Sequence, residues 1–144
     1  MTVKPETNFW KNLKKLLTGG KEYYLISRIE SYATPGFPDC VVFHKDTGFF
    51  TLELKIVRRN KKGIGKVLIS PLQLAWNTSH YRHGAPVYIL VGGLGKGHVK
   101  LFHGAWAKDL GQKTMGLVPG LYEGRLTDLN FVKLLNSQTP ESCA

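Results

Sequence analysis

The chain has 144 residues, 42% of them hydrophobic, and its 20 basic and 10 acidic side chains leave a formal net charge of +10. That length suits one domain with a single core, and the apolar content excludes wholesale disorder. The basic excess favours a polyanionic partner, of which nucleic acid is the commonest.

No apolar run approaches the ~18 residues of a membrane span, and MTVKPETNFW lacks a signal peptide's apolar stretch. A soluble, cytoplasmic protein without membrane attachment is therefore expected. Cys40 and Cys143 are too isolated to form a disulfide or a zinc site.

Residues 6–18 read as an amphipathic helix with Phe9, Leu13, Leu16 and Leu17 on one face and lysines mostly on the other, ended by Gly19-Gly20. Residues 23–32 read as a strand, followed by the loop ATPGFP. Residues 39–44 (DCVVFH) and 49–57 (FFTLELKIV) read as two strands joined by the turn Lys45–Gly48. The stretch 58–69 reads as a basic, mobile excursion carrying Arg58, Arg59, Lys61, Lys62 and Lys66.

Ser70 and Pro71 supply the N-cap and first position of a helix running to about His83 and stopped by Gly84. Residues 87–92 (VYILVG) suit a strand buried on both faces, and 98–103 (HVKLFH) the next strand. The glycine-rich region 104–126 carries no clear periodicity. Thr127 or Asp128 is the expected cap of a last helix ending near Asn136, with a frayed tail from 137. One domain over 1–144 is expected, with its core at about 6–103 and an elaboration at 104–136.

Alternation in a strand places Glu53 and Lys55 on one face, with Thr51 and Val57, and Phe50, Leu52, Leu54 and Ile56 on the other. A hairpin closing at 45–48 brings residue 44 near 49, and so Asp39 opposite about Leu54. Adjacent carboxylates repel unless a cation lies between them. A hard divalent ion takes carboxylate and carbonyl oxygens of this kind, here Asp39, Glu53 and a backbone carbonyl such as that of Leu54. Lys55 is then placed to orient water or stabilise charge on a phosphate. The five histidines show no convincing metal-ligand spacing. Trp10, Trp76 and Trp106 read as core or interface residues, not as base-stacking platforms.

Pro38-Asp39, a spacer over residues 40–52, and Glu53-Leu54-Lys55 resemble the signature of the PD-(D/E)XK nuclease superfamily. The similarity covers roughly residues 6–92. It is nearest to small VRR-NUC and Holliday-junction-resolvase-like enzymes, many of them phage-encoded. The resemblance implies an α/β restriction-endonuclease-like core: a mixed central sheet flanked by helices, in the order α-β-β-β-α-β with a variable C-terminal part. It also implies a Mg²⁺- or Mn²⁺-dependent DNA endonuclease. Gln73 matches a glutamine that lies near the active site in such enzymes, and either Glu6 or Glu30 would add a carboxylate to the metal site.

The basic residues at 58, 59, 61, 62 and 66 are expected to grip the DNA backbone. Lacking an appended base-reading module, such a nuclease is expected to read branched DNA by shape, as a homodimer with two active sites and no small-molecule cofactor, in a bacterial or phage-infected cell. The alternatives are a sequence-specific restriction or repair nuclease, and a non-catalytic nucleic-acid-binding protein on a nuclease fold.

Overall fold

The computed structural model of the chain describes residues 5–20, 22–29, 35–59, 65–113 and 115–136, the side chains of 5, 6, 59 and 136 excepted. The helix over Pro5–Gly19 (α1) follows its apolar spacing: Phe9, Leu13 and Leu17 recur every four residues and are all buried. Each such side chain contributes roughly 1.5–3 kcal/mol when fully buried. The strands Leu25–Arg28 (β1), Cys40–His44 (β2) and Gly48–Ile56 (β3) form an antiparallel meander.

The β2–β3 turn is one residue tighter than the sequence suggests. Gly48 adopts φ +72, joins the ladder and pairs with His44, leaving a three-residue loop. Cys40 consequently pairs with Leu52, and the continued register sets Asp39 opposite Glu53, not Leu54.

The basic excursion is shorter than expected. Arg58–Arg59 (β4) and Gly65–Lys66 (β5) pair as a small hairpin, and Val67 and Ile69 already pack into the core. The helix Pro71–Arg82 (α2) begins on a full capping box and ends where Gly84 turns at φ +84. It leads into Val87–Gly92 (β6), which is buried along its whole length and pairs parallel with β3. That burial is what its unbroken apolar run implies. His98–His103 (β7) and Tyr122–Arg125 (β8) complete a mixed six-stranded sheet in the order β1-β2-β3-β6-β7-β8.

The region without clear periodicity holds a 3-10 turn at Gly104–Trp106, the short helix Ala107–Gln112 (α3), a second 3-10 turn at Met115–Leu117 and β8. The last helix, Phe131–Asn136 (α4), is capped by neither Thr127 nor Asp128. Those residues belong to a 3-10 turn, and the Asn130 side chain accepts the N–H of Lys133 instead.

The fold is therefore α/β, with a mixed central sheet flanked by helices. On one face α1 and α4 pack over Leu52, Leu90 and Leu101. On the other, Leu74 of α2 and Leu110 of α3 pack over Ile89, Val91 and Phe102. Among the described residues, no helix is long and apolar enough to cross a membrane.

Candidate active site

β2 begins only at Cys40, opposite Leu52, while β3 continues to Ile56, so the end of β3 loses its antiparallel neighbour. Backbone donors left there need partners. The Asp39 carboxylate supplies one: its Oδ2 accepts the N–H of Leu54 at 2.7 Å. The N–H and C=O of one strand residue point to the same side, so the Leu54 carbonyl faces Asp39 as well.

Glu53 and Lys55 project from β3 on the face away from α1, as alternation requires. Glu53 is only 2% exposed, so an ordinary solvated ion pair with Lys55 does not describe it. Its Oε1 accepts from the Gln73 side-chain amide at 2.8 Å. Among the described residues no donor reaches its buried Oε2, and the protonated carboxyl shares a hydrogen bond with Asp39. Lys55, 17% exposed, holds its Nζ 2.8 Å from Gln73 Oε1 and 3.8 Å from Glu53 Oε1.

Gln73 is the keystone of this group. It sits at the third helical position of α2, where its Oε1 also accepts the Ser70 N–H at 3.0 Å while its own N–H bonds to Ser70 Oγ. The capping box thus fixes the side chain. Two donors converge on Oε1 and one acceptor meets Nε2, which leaves a single consistent amide orientation.

The loop bearing Asp39 is anchored on the same helix. Gly36, at φ +87, lies so close to α2 that a Cβ there would stand 2.4 Å from the Leu72 carbonyl oxygen. The Phe37 ring lies 5.4 Å from that of Trp76, which stacks on His80 at 3.7 Å. Trp76 is accordingly an interface residue. By composition Pro35 and Gly36 mark only a loop. The proline–glycine pair just ahead of Asp39 was the available signal for a turn that needs a positive φ.

The electrostatics follow from the geometry. Burial, and next the negative charge of Asp39, push the Glu53 carboxyl up from 4.5 to about 8, against the smaller opposing effect of Lys55. Burial together with the Asp39 and Glu53 charges likewise pushes the Cys40 thiol up to about 12, so it is no nucleophile.

Asp39, Glu53, Lys55 and Gln73 thus form one connected group at the carboxyl end of β3. Arg58 and Lys66 are exposed on the adjoining hairpin; the Arg59 side chain, Lys61 and Lys62 lie outside the described residues. So do Glu30 and the side chain of Glu6. Phe9, one turn beyond Glu6, lies against Gly92, which sets the start of α1 at the carboxyl end of β3 and β6.

A second acidic group lies at the far end of β2, about 17 Å from Asp39 at the usual strand rise. Glu22, His44 and Asp46 bring ligand-type atoms within 4.8 Å of one another. Both His44 nitrogens are engaged, however: Nε2 with Glu22 Oε2 at 2.7 Å, and Nδ1 accepting the Asp46 N–H at 3.0 Å. Holding an ion there would cost those bonds, and the group as it stands braces the hairpin turn. Compared with known protein families, with curated proteins and with solved structures, the chain matches none.

Proposed function

We propose that the chain is a divalent-metal-dependent DNA endonuclease of the PD-(D/E)XK type. The observation that carries this reading is the pair of neighbouring carboxylates, with Glu53 Oε2 buried and, among the described residues, met by no donor. A buried carboxylate oxygen without a donor is costly, and a second carboxylate beside it raises the cost. A hard cation removes both penalties at once, and the donor set suits Mg²⁺ or Mn²⁺: Asp39, Glu53 and the Leu54 carbonyl, all oxygen. Glu6 or Glu30 would add a further carboxylate.

When bound, such an ion supplies Lewis-acid polarisation of a phosphate oxygen and a more acidic water. The remaining work falls to the chain itself. Lys55 presents a single, partly exposed ammonium group beside the carboxylates, where it meets negative charge growing on the phosphate and orients the attacking water. Gln73 holds Lys55 and Glu53 at fixed separation, so neither has to reorganise as the reaction proceeds. The Asp39 side chain is held by the Leu54 amide. Arg58, Arg59, Lys61, Lys62 and Lys66 grip the backbone of the incoming strand, without regard to sequence.

Branched DNA cut by a homodimer with two active sites is the substrate and assembly that this reading favours. A gel assay with four-way junction, flap, single-stranded and linear DNA, in Mg²⁺, Mn²⁺ or EDTA, tests it. Paired nicks in junctions, dependent on the metal, are expected. Equal cutting of junction and linear duplex would remove the preference for branches.

A further inference from the structure

The sheet end that carries Lys55 opens, on the α1 side, into a second concavity. A cavity of about 670 Å³ lies between the C-terminal half of α1, the β6–β7 loop and the end of β8. Lys15, Lys96 and Arg125 line it from these three separate elements, with the Thr127 side chain beside them. All three cations are exposed. Among the described residues, no carboxylate lines the cavity, and none of the three cations takes part in an ion pair. Of the acids near this end, Glu123 lies within ion-pair distance of Lys100 and His98, and Asp128, which follows Thr127, is not among the lining residues.

The cavity does not end there. A smaller one of about 350 Å³ shares Asn12, Gly97 and Leu126 with it and reaches Ile56, Gly92 and Gly93. Ile56 directly follows Lys55. The two hollows therefore form one path from the basic cluster to the carboxyl ends of the parallel strands β3 and β6, which is where open α/β sheets bind their ligands.

Three converging cations without an acid create a positive potential that attracts an anion. Leu16 and Leu126 add apolar walls, and a volume in the range of ~300–1,000 Å³ accommodates a nucleotide-sized group. A path that runs over two adjoining hollows and ends at the sheet edge next to Lys55 suits a chain of phosphates better than a free anion.

We propose that this groove binds the sugar–phosphate backbone of the polynucleotide where it leaves the reaction centre, as a second anchor on the opposite side of the sheet from Gln73. The proposal rests on the nuclease reading and extends its DNA contacts from the β4–β5 hairpin to α1, the β6–β7 loop and β8. Lys15, Lys96 and Arg125 contact phosphates, and their contribution is electrostatic and independent of sequence.

The test is anisotropy titration of a labelled DNA duplex in EDTA, where binding is read without cleavage, over a range of salt concentrations. Three proteins are compared: wild type; the triple variant Lys15→Ala, Lys96→Ala, Arg125→Ala; and a charge-matched triple, Lys45→Ala, Arg82→Ala, Lys108→Ala, at exposed positions outside the groove. The groove triple is expected to bind about tenfold or more weakly near 0.1 M salt, with a salt slope shallower by about 2–3, while the control triple changes by about threefold or less. Equal losses in the two triples, or wild-type affinity and slope in the groove triple, would overturn the groove. Failure of the nuclease reading looks different: wild type would bind DNA yet leave it uncut in both Mg²⁺ and Mn²⁺. A selective loss in the groove triple would still support the anchor in that event.

Discussion

Asp39 and Leu54 are joined by a 2.7 Å hydrogen bond from the Leu54 backbone N–H to the Asp39 carboxylate. A side chain from the end of one strand thereby occupies the ladder position that the strand itself has vacated. The bond orients Asp39 toward Glu53 at a site where two carboxylates would otherwise swing apart. It also separates two roles of Asp39 that mutation can distinguish, since an amide oxygen accepts the same bond but carries no charge.

Asp39→Asn is therefore expected to keep the fold, with a melting temperature within about 3 °C of wild type. On the proposed function, cleavage should nevertheless fall at least about a hundredfold, because the charge proposed to hold the cation is gone. Thermal melts and single-turnover assays on one preparation check this. Wild-type cleavage by the variant would remove Asp39 from the metal site.

Glu53 gives a pH prediction with a definite sign. Its folded-state pKa is raised from 4.5 to about 8, so between these values the folded protein holds a proton that the unfolded chain releases. Its contribution to stability is fully present below about pH 4.5 and is lost as pH rises toward 8, with a slope of up to about 1.4 kcal/mol per pH unit. Urea denaturation in EDTA should show wild type losing stability across this window relative to Glu53→Gln, which cannot ionise. Mg²⁺ should restore the wild type at pH 8 and leave the variant unchanged. Parallel pH profiles for the two proteins would contradict the buried-carboxyl account.

Gln73→Ala removes half of the capping box and the bridge between Glu53 and Lys55. A stability loss of about 1–2 kcal/mol is expected, with cleavage reduced about ten- to a hundredfold. Ser70→Ala breaks the cap but leaves the bridge to Glu53 and Lys55. It should cost comparable stability and markedly less activity. Equal activity losses in the two variants would mean that Gln73 acts only as a cap.

Gly36→Ala tests the anchoring of the Asp39 loop on α2. The added methyl group meets the Leu72 carbonyl oxygen at 2.4 Å in a backbone of φ +87. A loss of about 1–3 kcal/mol is expected, together with reduced cleavage as Asp39 shifts from Glu53. Gly84→Ala, at φ +84 with open space around it, is the matching control: it should lose stability and keep activity in the folded fraction.

How far the sequence carries can be read from particular residues. The unbroken run Val87–Gly92 marks a strand buried on both faces, and Ser70-Pro71 the start of α2, because both signals are local. Alternation along β3 placed Glu53 and Lys55 on one face correctly. The hairpin count, good to about one residue, is off by one because Gly48, a turn residue by its chemistry, also pairs with His44 in the ladder. The depth of Glu53 was hidden as well: its burial comes from the covering of that sheet face, which is a tertiary property. The Asn130 cap was lost because Thr127 and Asp128 offer the same chemistry nearby. The contact of Gly36 with Leu72 joins segments far apart in the chain, and no local pattern announces it.

The central claim, that Asp39 and Glu53 form the metal-dependent centre of a DNA endonuclease, is tested most directly by single-turnover cleavage of an end-labelled four-way junction. Wild-type and Glu53→Gln proteins, prepared in parallel, are compared in Mg²⁺ and in EDTA. Wild type should cut only with Mg²⁺, and the variant should cut at least about a hundredfold more slowly while remaining folded. Cleavage that persists in EDTA, or a variant as fast as wild type, would contradict the account.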